Sequence, residues 1–117
     1  MTANSTRTRK AKGRQLQNLV VDTLRARFGL HEDDIRSCSM GAGGEDIQMS
    51  TKARILFPYS IECKNVEKLN VWDAYEQAKQ NTVDKTHEPL LVFKRSRSDV
   101  MVMLRLEHFI KLNHARF

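Results

Sequence analysis

The 117-residue chain has little of what marks several familiar protein classes. It has two cysteines, Cys38 and Cys63, and they form no CxxC pair. Two are too few for a disulfide scaffold, so a reducing compartment is the simpler reading. Only 7% of the residues are aromatic, and there are two prolines. No run approaches the ~18 apolar residues that a membrane-spanning helix needs. No apolar stretch follows the basic N-terminus closely enough to make a signal peptide. The expected location is therefore the cytoplasm, with no membrane partner. Disorder is excluded as well, because 40% of the residues are hydrophobic. The length allows one domain with a modest core.

What the chain has in excess is positive charge. Twenty Lys and Arg oppose fourteen Asp and Glu, for a net charge of +6. The first fourteen residues hold Arg7, Arg9, Lys10, Lys12 and Arg14 and no acid. They read as a flexible basic arm over 1–12, followed by a single domain over 13–117. Five acids, Glu32, Asp33, Asp34, Glu45 and Asp46, lie between His31 and Asp46, with Arg36 as the only base. Bases return near the C-terminus, where Lys94, Arg95 and Arg97 surround a loop. Basic ends around an acidic middle suggest a polyanion partner whose contact point also holds carboxylates.

The hydrophobic periods predict the elements. Leu16, Leu19, Val20, Leu24 and Phe28 form one stripe of a helix over Arg14–Arg27, closed by Gly29. Gln17 falls on the same side, either as a core amide or as a residue of a site. Strands are expected over Ile35–Ser39, Glu45–Met49, Tyr59–Lys64, Pro89–Phe93 and Val100–Leu106. The last of these is apolar on both faces, as in a covered strand. Thr51–Leu56 reads as a short helix or a loop. A helix over Val71–Gln80 has Asn70 as its N-cap, and a final helical turn covers Glu107–Leu112. Helices around one central mixed sheet make the fold α/β or α+β.

Three residues stand out chemically. Along the strand Tyr59–Lys64, side chains alternate, so Ser60, Glu62 and Lys64 share one face and Tyr59, Ile61 and Cys63 point into the core. Asp46 begins the preceding strand. If the two strands adjoin, Asp46, Glu62 and Lys64 converge. Two carboxylates at one point repel unless a cation joins them. An all-oxygen set of this kind suits Mg²⁺, which binds through one or two carboxylates plus substrate phosphate. Such an ion acts as a Lewis acid and acidifies a bound water. The alternative is an exposed ion pair on a strand.

At these positions the sequence resembles the PD-(D/E)XK nuclease superfamily. Gly44-Glu45-Asp46 is similar to its first acidic motif, Glu62-Cys63-Lys64 matches its (D/E)XK motif, and the element order resembles its αβββαβ core. The segment Arg36-Ser37-Cys38-Ser39-Met40-Gly41 before Gly-Glu-Asp resembles most the Holliday-junction resolvase branch and its small phage-encoded relatives. The resemblance implies a restriction-endonuclease-like fold and a Mg²⁺-dependent DNA endonuclease, with Mn²⁺ as a substitute. It implies branched DNA as substrate, a role in DNA recombination, a homodimer, and the host cytoplasm for a phage-encoded chain. It implies Asp46 and Glu62 as metal ligands with the backbone carbonyl of Cys63, and Lys64 as the catalytic lysine. Arg36, Ser37 and Ser39 would join Arg7, Arg9, Lys10, Lys12, Arg14, Lys94, Arg95 and Arg97 against DNA. Glu45 stands where the family usually has proline. Gln17 stands where archaeal resolvases carry a Glu, which favours one metal over two. Gln77 resembles a glutamine that some branches carry.

A non-catalytic DNA-binding module and an RNA-processing nuclease on the same fold are the alternatives. Gly41-Ala42-Gly43-Gly44 lacks a Walker lysine, and His31, His87, His108 and His114 lack zinc-ligand spacing, so they read as surface histidines. Trp72 reads as a packing residue, with base stacking as the alternative.

Overall fold

The computed structural model describes residues 6–38, 44–84 and 86–114. Helix α1 (Thr6–Phe28) precedes strands β1 (Ile35–Ser37) and β2 (Ile47–Met49). Helix α2 (Thr51–Leu56), strand β3 (Tyr59–Asn65) and helix α3 (Val71–Gln80) follow. The chain continues through β4 (Glu88–Lys94), β5 (Met101–Met103) and α4 (Leu106–His114). The architecture is mixed α/β.

Local chemistry explains the boundaries. Gly29 adopts φ 62°, the left-handed conformation that glycine reaches without a Cβ clash. Leu30 N–H then donates to the Arg25 carbonyl at 3.1 Å, which closes α1 with a Schellman-type bond. Asn70 caps α3 by accepting from the Trp72 and Asp73 amides at 3.1 and 3.2 Å. Ser50 caps α2 by accepting from the Ala53 amide at 3.1 Å, so this segment is helix rather than loop.

Strands β3 and β4 run parallel, with Glu62 beside Leu91 and Asn65 beside Lys94. Their crossover is α3. Strand β5 returns antiparallel to β4, with Val102 beside Val92. Strands β1 and β2 form a separate antiparallel pair. The expected single sheet is therefore two ladders, and the three-stranded one is mixed. On one face of β3 and β4, Ile61, Cys63, Leu90 and Val92 pack with Leu16, Val21 and Leu24 of α1 and with Ile35 and Ile47. On the other face, α3 packs against β3 and β4 with Ala74 and Ala78 buried. Those small side chains let the helix lie close to the sheet.

Four expectations are corrected. Helix α1 begins at Thr6 rather than Arg14, so Arg7, Arg9, Lys10 and Lys12 lie within it. Asn65 Nδ2 donates to the Lys12 carbonyl at 3.1 Å, which docks this first stretch on the end of β3. The buried stripe of α1 runs through Leu16, Gln17, Val21 and Leu24, leaving Leu19 and Phe28 exposed. Strand β5 covers only Met101–Met103 and is an edge whose residues stay partly or fully exposed. Trp72 is 75% exposed and so is not a packing residue. Among the described residues no helix is long and apolar enough to cross a membrane.

Ile61 is 1% exposed at the centre of the core. Ile61→Ala is expected to cost about 2–5 kcal/mol in chemical denaturation. Val83→Ala, at an 82% exposed position, is expected to stay within about 0.5 kcal/mol.

Candidate active site

The site is built where the two ladders meet. Asp46 lies just before β2 and touches β3 twice. Its backbone N–H donates to the Ile61 carbonyl at 3.2 Å. Its Oδ2 accepts from the Cys63 N–H at 2.7 Å. These two contacts flank Glu62, so the Asp46 carboxylate is held beside that residue. Its own carbonyl accepts from Cys38 N–H at 2.8 Å, which ties the same residue to the end of β1.

Glu62 is 2% exposed and faces α3. Asn81, the C-cap of α3, donates through Nδ2 to Glu62 Oε1 at 3.2 Å. Lys64 Nζ lies 3.5 Å from Glu62 Oε2. Lys64 is partly open to solvent. Burial pushes the Glu62 carboxyl above the usual carboxylate range, and the Asp46 charge pushes it further, against the pull of Asn81 and Lys64. Burial raises Asp46 too, against the pull of the Cys63 N–H and Lys64. One ammonium beside a buried and a partly buried carboxylate leaves a surplus of negative charge.

Glu45, next in sequence, is placed differently. Its carboxylate is held by Arg54 through two bonds, of 2.8 and 3.2 Å. Adjacent acids thus take separate roles: Glu45 is neutralised by a guanidinium, whereas Asp46 is turned toward β3. Arg54 also lies 3.4 Å from His87 Nδ1. His87 and His108 are held in contact networks rather than freely exposed, His108 through a 2.6 Å bond with the Tyr59 hydroxyl.

Asp46 and Glu62 offer hard oxygen donors, of the kind that would hold Mg²⁺ or Mn²⁺. Among the described residues there is no group of three or more His, Cys, Asp or Glu side chains that could hold a metal. The Cys63 thiol points into the core, where burial raises it strongly, so only the backbone of Cys63 is turned toward the site. Gln17 is buried on α1, as its position on the stripe implied.

The candidate phosphate-binding residues divide into two groups. Arg9 and Lys12 of α1 line a depression of about 480 Å³ with Asn65, Val66, Glu67 and Lys68. Glu67 accepts the Ser96 N–H at 2.7 Å, and the charges of Lys12 and Arg95 both act on it. Register sets Lys94 beside Asn65. Bases from α1, from the segment after β3 and from the β4–β5 hairpin thus meet at the end of β3 that carries Lys64. Arg7, Lys10, Arg14 and Arg97 are exposed. Arg36 instead lines a cleft of about 700 Å³ with Asp33, Asp34, Glu45 and Asp84, which is an acidic setting. The Ser37 hydroxyl donates to Asn18 Oδ1 at 3.2 Å, and Ser39 lies outside the described residues. Gln77 is exposed on α3.

The raised carboxylates set a sign for stability. Their protonated forms suit the folded site better, so their contribution is full at acid pH and is lost as pH rises through their raised values. Without added metal, Glu62→Gln is expected to raise the melting temperature at neutral pH. The gain should shrink toward pH ~4, where the wild-type group is protonated. A fall in melting temperature at neutral pH contradicts this assignment.

The chain matches no protein-family model, no curated protein and no solved structure.

Proposed function

We propose that this chain is a metal-dependent DNA endonuclease of the PD-(D/E)XK type, acting on branched DNA such as a Holliday junction. The observation that carries the reading is the Asp46 carboxylate held on the Cys63 N–H beside buried Glu62, with Lys64 on the same strand. A restriction-endonuclease-like core accommodates the parallel β3–α3–β4 unit and the antiparallel β1–β2 pair.

In this mechanism Asp46 and Glu62 hold the cation. When bound, it supplies Lewis acidity toward a phosphoryl oxygen and toward water. Asn81 fixes the orientation of Glu62, so the donor set is preorganised. The Lys64 ammonium offsets the negative charge that develops on the phosphoryl group as water adds and the sugar oxygen leaves. Arg9, Lys12, Lys68, Lys94 and Arg95 hold backbone phosphates, which gives affinity without sequence information. A non-catalytic DNA-binding role is favoured by Gln17, which stands where archaeal resolvases carry a Glu.

Cleavage of branched DNA, linear duplex and structured RNA in Mg²⁺ tests the reading. The branched DNA is expected to be cut fastest. Asp46→Ala and Glu62→Ala should each lose at least about 100-fold in rate, and Lys64→Ala should bind DNA normally but cut about 100- to 1,000-fold more slowly. Absence of cleavage by the wild type with retained DNA binding supports the non-catalytic role, and a preference for RNA supports the RNA-processing alternative. Lys12→Ala and Arg95→Ala should each weaken binding for all sequences and reduce the log–log salt slope by about 1.

A further inference from the structure

The hairpin between β4 and β5 is closed in a way that leaves one amide facing outward. Ser98 N–H donates to the Arg95 carbonyl at 3.2 Å, and Arg97 between them takes φ 62°. That is the pattern of a type II turn, whose third position ordinarily takes glycine. The Ser98 hydroxyl accepts from Arg95 N–H at 3.0 Å and so spends a second donor within the turn. Ser96, at the second position, has no part in the closing bond. Its N–H donates instead to Glu67 Oε2 at 2.7 Å, 29 positions away in sequence.

Glu67 is the one acid lining the depression of about 480 Å³ at this end of β3, against Arg9, Lys12 and Lys68. Hydrogen bonding from Ser96, and then the charges of Lys12 and Arg95, hold its carboxyl below the usual carboxylate range, so it is ionised at neutral pH. Both Glu67 and Ser96 are exposed. A carboxylate open to water is thus drawn among four bases onto a backbone donor. An outward amide flanked by Lys and Arg is the donor set that proteins offer to phosphate oxygens. An exposed contact of this kind is worth little, so Glu67 can leave it at small cost. Glu67 lies three residues beyond Lys64, which puts their Cα atoms within ~11 Å of each other. The spot is next to the proposed reaction centre rather than in it.

We propose that this spot is a phosphate subsite, which Glu67 occupies in the free protein and cedes to a backbone phosphodiester of the bound nucleic acid. A phosphodiester carries one negative charge, as the carboxylate does, so the exchange leaves the charge of the depression unchanged. The phosphate takes over the Ser96 N–H and the attraction of Lys12 and Arg95, and Glu67 swings into solvent. Glu67 is thereby a built-in competitor. A polyanion seats here only by displacing it, which weakens loose electrostatic attachment and favours a strand whose phosphate falls on the Ser96 amide. The ligand rests on the proposed activity on DNA; the roles of Ser96 and Glu67 go beyond it.

Two probes of the full chain separate the subsite from that activity. The first is inorganic phosphate, titrated while the Ser96 amide is followed by nuclear magnetic resonance. In Glu67→Ala the Ser96 resonance should shift at a phosphate concentration at least about tenfold lower than in wild type. The second is a DNA duplex at fixed salt. Glu67→Ala should bind it at least about tenfold tighter than wild type, and Asp99→Ala, which removes an equal charge from the same hairpin, less than about threefold tighter. Ser96→Pro suits the second position of the turn and deletes the N–H, so adding it to Glu67→Ala should remove most of the gain. All three positions are exposed, and circular dichroism verifies folding. A Ser96 resonance in Glu67→Ala that ignores phosphate overturns the inference, as do equal gains in Glu67→Ala and Asp99→Ala. Weaker duplex binding by Glu67→Ala overturns it too, because Glu67 is then an anchor of the hairpin. If neither wild type nor any variant binds the duplex, the proposed activity on DNA fails, and the phosphate titration alone decides the subsite.

Discussion

Much of this structure depends on how Asp46 is held against β3. One residue supplies a backbone donor to Ile61, a side-chain acceptor for Cys63 and a carbonyl acceptor for Cys38. Through these bonds the β1–β2 ladder is tied to the three-stranded sheet, although the two form no common ladder. The same bonds bring a second carboxylate to buried Glu62. Fold and site are therefore linked by a few hydrogen bonds. The price is electrostatic: two partly desolvated acids stand side by side, and both are pushed toward protonation.

The surroundings answer that cost in stages. Lys64 contributes one positive charge at 3.5 Å, and Asn81 contributes a neutral donor at 3.2 Å. Neither cancels the second negative charge. Further out, the helical bases of α1 and the β4–β5 hairpin raise the potential at the end of β3. A divalent cation would complete the balance at the carboxylates. A phosphate could then approach across a basic rim toward a neutralised centre. This ordering of charge, acidic inside and basic outside, fits a polyanionic substrate brought to a cation.

Much of this was legible in the sequence. Alternation along Tyr59–Lys64 already separates Glu62 and Lys64 from Ile61 and Cys63, because a strand leaves no other arrangement. Asn70 and Gly29 mark their helix ends through local bonds that need no tertiary context. Other features depended on contacts distant in sequence. Asn81 reaches Glu62 only because α3 packs on β3, and nothing in its neighbourhood marks that reach. Arg54 captures Glu45 across the turn before α2, so Glu45 and Asp46 could not be separated by inspection. The first turns of α1 read as a free arm because their apolar content is low, yet Asn65 docks the Lys12 carbonyl from 53 positions away. Strand β5 has the composition of a covered strand, but its place at an edge exposes it.

The central claim is that Asp46 and Glu62 form one site for a divalent cation. Calorimetric titration of Mn²⁺ into the metal-free protein tests it most directly, with Asp46→Asn and Glu62→Gln in parallel. Both variants keep the shape and an oxygen acceptor while removing a charge. The account predicts about one ion per wild-type chain and at least about tenfold weaker binding in each variant. Wild-type protein that binds no Mn²⁺, or variants that bind it as tightly as wild type, would contradict it.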